Sequence, residues 1–81
     1  MVTTKSNIAW MARQLINNDH DSFVVLNQDG SCEAGPASCY SSIIECGQDP
    51  NNFGIAFMVR CCPGISLASA KEIIVEGLQD L

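Results

Sequence analysis

Five cysteines and one histidine are the residues of this 81-residue chain with the most chemistry in them, and their spacing limits what they can do. Cys32, Cys39 and Cys46 are each separated by six residues, and Cys61 and Cys62 are adjacent. A structural zinc or iron–sulfur site generally includes a close pair with about two to four intervening residues, because a short turn brings two sulfurs to one ion. That pair is missing, and neighbouring cysteines in a strand point to opposite faces. No metal is expected. Disulfides are not expected either, since the odd count leaves one thiol over and a reducing cytosol keeps thiols free. Most of the cysteines therefore read as small core hydrophobes, with one of Cys61 and Cys62 inside.

His20 lies between Asp19 and Asp21, a stretch that reads as a solvated loop closing a helix. Pairing of His20 with Cys32 or Cys62 is the one nucleophilic arrangement that spacing leaves open. No glycine-rich phosphate loop follows a strand, His-Glu-x-x-His is absent, and Asp29-Gly30 lacks the further carboxylates of a calcium loop. No cofactor and no catalytic residue are expected, and the chain reads as non-enzymatic.

The elements that would position these residues are legible from periodicity. Residues 5–18 read as a helix, with Ile8, Met11, Ala12, Leu15 and Ile16 at helical spacing, and Thr3, Thr4 or Ser6 as its cap. Asn17, Asn18 and Asp19 end it, because short polar side chains tolerate the left-handed conformation. Phe23 to Leu26 form a compact strand, and Asp29-Gly30 is a strong hairpin signal leading to a short partner strand that Gly35-Pro36 breaks. The apolar run 53–62 is too short for a membrane span and reads as a strand with both faces largely covered.

After Pro63-Gly64 a second amphipathic helix is expected, capped by Ser66 alone or by Ser69 with Glu72 as a capping box. Its stripe comprises Leu67, Ala70, Ile74, Leu78 and Leu81, flanked by Ile73 and Val75, with Glu72, Glu76 and Asp80 opposite. Residues 37–47 fit two patterns. Ile43 and Ile44 flanked by serines suit a strand, whereas Cys39, Ile43 and Cys46 at i, i+4 and i+7, with Gly47 as a stop, suit a helix. The strand is favoured, because the apolar run needs neighbours. The expected fold is one α+β domain over residues 1–81: a single-layer antiparallel sheet of three to four strands packed by an N-terminal and a C-terminal helix. Its order is α-β-β-β-β-α, or α-β-β-α-β-α if 37–47 is helical.

Charge and hydrophobicity bound the partners. Lys5 and Arg13 stand alone in the first 18 residues, while all nine acids lie beyond them with Arg60 and Lys71, for a net charge of −5. That balance excludes nucleic-acid binding, which needs clustered cations. The first residues show no basic and apolar leader, and no stretch reaches the roughly 18 apolar residues of a transmembrane helix, so a cytoplasmic protein without membrane contact is expected. With 47% hydrophobic and only 16% charged residues, a chain this short has too little interior for its apolar content.

Trp10 sharpens the point: it lies on the polar side of its helix, beside Ser6, Arg13 and Asn17. A tryptophan there either folds over a sheet edge or loop, or anchors an interface. The expected function is a protein-interaction module that forms a homodimer, with Trp10, Arg13, Glu72 and Glu76 binding the partner. One alternative is an acidic inhibitor or adaptor, of the type found in mobile elements, whose Glu33, Glu45, Asp49, Glu72, Glu76 and Asp80 meet a basic groove on a host protein. The other is a small-molecule binding or thiol-dependent protein, with a pocket lined by Cys32, Cys39 or Cys62.

Overall fold

The computed structural model describes residues 5–81. Its order is α1 (Lys5–Asn17), β1 (Ser22–Asn27), β2 (Cys32–Pro36), α2 (Ser41–Ile44), β3 (Ile55–Arg60) and α3 (Leu67–Gln79), with single 3-10 turns at Ala37–Tyr40 and Pro50–Phe53. The fold is a small α+β one with an antiparallel three-stranded sheet in the order β2-β1-β3.

The apolar stripe of α1 buries Met11, Ala12 and Leu15 completely. Ser6 is already inside the helix and does not cap it, and the Thr3 and Thr4 caps, like the first four residues of the leader reading, lie outside the described residues. Nor does the helix end through a left-handed asparagine, since no described non-glycine residue has a positive φ. Instead the Asn18 side-chain amide donates to the Gln14 carbonyl at 2.8 Å, satisfying an acceptor of the last turn.

Asp29 and Gly30 make the expected hairpin, in a three-residue loop rather than a two-residue one. The Asn27 N–H donates to the Ser31 carbonyl at 2.8 Å, and Gly30 closes the turn at φ +93°, a value that glycine adopts without steric cost. Strand β1 is central, so its four apolar residues serve both faces by simple alternation. Val24 and Leu26 face the helices, whereas Phe23 and Val25 face the other way.

The strand covered on both faces is therefore β1, not the 53–62 run. That run shrinks to β3, an edge strand whose residues 56–59 are half-buried. A bulge at Ala56, between the pairs Leu26–Phe57 and Asn27–Ile55, breaks the alternation. Its consequence is specific: Ile55 joins the second face while Phe57 joins the helix side.

Residues 37–47 are not a strand. They carry the chain from β2 past β1 to β3, and they cross the sheet face that the helices leave open. Pro36 has no N–H to extend a ladder, and the Glu45 N–H donates to the Ser41 carbonyl in helical fashion, while the Gln48 and Gly47 N–H groups donate to the Ser42 and Ile43 carbonyls and end the turn at left-handed Gly47, φ +69°. The inward side of this turn is Tyr40 and Ile43, not the Cys39, Ile43 and Cys46 spacing.

Ser66 caps α3, accepting from the Ser69 N–H at 3.1 Å, so the Ser69–Glu72 capping box is not used. Ala70 and Ile74 are buried, while the ends of the expected stripe, Leu67 and Leu81, are exposed. Helices α1 and α3 cover the same sheet face and run antiparallel. Asn7 near the start of α1 donates to the Gly30 carbonyl. The Cys62 N–H, just before α3, donates to the Leu15 carbonyl near the end of α1. Gly77, late in α3, lies against Phe57.

The cysteines do not fill the core as expected. Only Cys61 is buried, at 1% exposure, Cys32 is half-buried, and Cys39, Cys46 and Cys62 are exposed. Cys61 is held where β3 meets α1, whereas the connection that carries Cys39 and Cys46 turns Tyr40 and Ile43 inward instead.

Candidate interaction surfaces

Two surfaces differ in chemistry and lie on opposite sides of the sheet. The first is the outer side of the helical layer. Arg13 follows Trp10 by three residues on α1, and both are exposed, the indole to 38%. Glu72 and Glu76 stand one turn apart on the exposed side of α3, where Ala70 and Ile74 face inward. Among the described residues no ion pair joins Arg13 to either glutamate. Beside the two carboxylates α3 has a shallow groove of about 290 Å³, bounded by Lys71, Glu72, Val75 and Glu76. One layer thus carries a projecting indole and cation on one helix, and an apolar hollow flanked by two acids and Lys71 on the other.

The second surface is the sheet face covered only by the connection. Phe23 is its anchor, held edge-on by Tyr40 with ring centroids 6.1 Å apart and capped by the Arg60 guanidinium 4.7 Å from its centroid. Arg60 is further fixed by donating to the His20 carbonyl at 3.1 Å. Beside this cluster lies a concavity of about 410 Å³ between β2, the 39–43 segment and Phe53. Ile43 and Ile55 give it apolar walls, and Glu33, Tyr40, Ser42 and Cys39 add polar groups. Burial pushes the Tyr40 phenol above its ordinary value, and the charges of Glu33 and then Cys39 add to that shift. Of the thiols named for a pocket, Cys39 lines this one and Cys32 and Cys62 do not.

Sequence reasoning missed Tyr40, Ser42 and Phe53. Their local patterns carry no signal, because the hollow forms only where β2, the 39–43 turn and the 53–55 stretch meet across the sheet face.

The remaining candidates are simpler. His20 Nδ1 lies 2.8 Å from Asp19 Oδ1 and Nε2 lies 3.5 Å from Asp21 Oδ1, with all three side chains open to water. Their ligand-type atoms fall within 4.8 Å of one another, a cluster that exposed acids form without any ion. No described contact brings a thiol to His20. The six acids of the adaptor reading are divided, with Glu72 and Glu76 on α3, Asp80 at its C-cap, and Glu33, Glu45 and Asp49 on β2 or the connection. Among the described residues no helix is long and apolar enough to cross a membrane.

No family model, curated protein or solved structure matches this chain. The reading of its function therefore rests on its own surfaces.

Proposed function

We propose that this chain is a non-enzymatic, cytoplasmic protein-interaction module that self-associates as a homodimer through its helical layer. The observation that carries the reading is the pairing, on one layer, of features that complete each other only between copies. A two-fold interface brings the same patch together twice, so residue i of one copy meets residue j of the other and the reverse. Trp10 of one copy then lies in the α3 groove of the other, over Val75, and Arg13 meets Glu72 and Glu76. Both contacts occur twice.

The chemistry suits each part. An indole at 38% exposure has a large apolar area to bury, and tryptophan and arginine are the residue types that dominate binding energy at interfaces. The charged pairs fix register and add attraction at the rim. Division of the six acids between two sides of the molecule supports the dimer over the acidic adaptor, which needs them on one.

Sedimentation equilibrium over a range of protein concentrations tests the reading. A reversible dimer is expected, and Trp10→Ala should weaken it by about 30-fold or more, the scale of a hot-spot residue. A monomer at high micromolar concentration contradicts it.

A further inference from the structure

We infer that the concavity on the opposite sheet face is a binding site for a small amphipathic organic ammonium, a cationic head on an apolar body. This goes beyond the self-association reading, since the site lies across the sheet from the helical layer.

Charge complementarity selects the ligand. The hollow, of about 410 Å³, falls in the size range of small-molecule sites, which are mostly apolar with a few placed polar groups. Among the described residues Glu33 is the one carboxylate that lines it, and no basic side chain does. Antiparallel pairing places Glu33 opposite Val25, on the same face as the second apolar cluster. Among the described residues the carboxylate accepts one hydrogen bond, from the Asn27 side-chain amide at 3.2 Å, which leaves it acceptor capacity and no counter-charge. Arg60, the one cation on this face of the sheet among the described residues, is committed to the Phe23 ring and the His20 carbonyl.

Two aromatic rings complete the selection. Tyr40 and Phe53 both line the hollow, and Phe53 is 51% exposed. The face of an aromatic ring attracts a cation, and a carboxylate beside such rings gives a site for an alkylammonium head. Ile43 and Ile55 offer the apolar body a dry wall. An anionic ligand of the same shape meets Glu33 and the same ring faces with the opposite sign, and is rejected.

Three probes that share a phenylethyl-type body and differ in the head test this: 2-phenylethylammonium, 2-phenylethanol and phenylacetate, titrated at constant ionic strength into the full chain and followed by amide shifts in proton–nitrogen spectra. The ammonium should shift Gly35, Ser42 and Gly54 amides and bind about tenfold more tightly than phenylacetate, the combined scale of a solvent-screened charge pair and a cation–π contact. Glu33→Gln should cut that preference to about threefold or less while leaving 2-phenylethanol binding unchanged. Glu72→Gln, on the helical layer, should leave it intact. Equal binding of ammonium and carboxylate, a preference that survives Glu33→Gln, or ammonium shifts centred on α3 would each overturn the inference.

Discussion

Gly77 of α3 lies against the ring of Phe57 on β3, so closely that a Cβ at position 77 would sit 2.5 Å from Phe57 Cζ. A glycine inside a helix ordinarily costs about 1 kcal/mol relative to alanine. Here the missing side chain is what lets the helix lie down on the sheet.

Gly77→Ala should therefore destabilise the protein by about 1 kcal/mol net, because overpacking of about 1 to 3 kcal/mol outweighs the gain in helix propensity. In a Phe57→Ala background the ring is gone, and the same substitution should stabilise by about 1 kcal/mol. Urea denaturation of the four proteins checks this reversal of sign. A gain in both backgrounds would show that α3 does not rest on Phe57.

The thiols should separate by accessibility. Burial, and secondarily the neighbouring Cys62, pushes the Cys61 thiol up, and burial does the same to Cys32. Only the thiolate reacts quickly, so iodoacetamide at neutral pH should modify exposed Cys39, Cys46 and Cys62 first, Cys32 later and Cys61 last. Peptide mapping by mass spectrometry over a time course reads the order. Early modification of Cys61 in folded protein would contradict its placement between β3 and α1.

The hairpin turn has its own acid signature. Asp29 accepts from the Ser31 hydroxyl at 2.6 Å and the Ser31 N–H at 2.9 Å, and these bonds hold its carboxyl below the ordinary 3.8. A depressed carboxyl contributes stability above its unfolded-state pKa, and that contribution is lost as pH falls through the folded value. The carboxyl carbon shift of Asp29 should titrate with a midpoint below 3.8. Ser31→Ala should raise that midpoint, because it removes the larger of the two bonds. An unchanged midpoint in Ser31→Ala would exclude the hydroxyl as the cause.

How far the sequence reveals this molecule depends on whether each signal is local. The stripe around Ala70 and Ile74 and the Ser66 cap are local, and so are the Asp29-Gly30 hairpin and the alternation in β1. The 37–47 segment is not, because Ile43 and Ile44 favour a strand while the path past β1 requires a crossing, and the crossing sets the conformation. Cysteine burial depends on neighbours distant in sequence: adjacent Cys61 and Cys62 alternate as a strand demands, but nothing nearby marks Cys39 and Cys46 as exposed. Among the candidate site residues, Trp10 shows itself by standing off its helix's apolar stripe. The concavity does not show itself at all, since Glu33, Tyr40 and Phe53 meet only once the sheet and its crossing connection are formed.

Self-association through the helical layer is tested most directly by charge exchange between two variants. One carries Arg13→Glu, and the other carries Glu72→Arg with Glu76→Arg. Alone, each variant places like charges at both symmetric contacts, and each should sediment as a monomer at concentrations where the parent chain is a dimer. Mixed in equal amounts they restore opposite charges at both contacts. Sedimentation velocity of the mixture should then show a one-to-one heterodimer. Dimers of each variant alone with the parent's affinity, or a mixture that stays monomeric, would contradict the proposed interface.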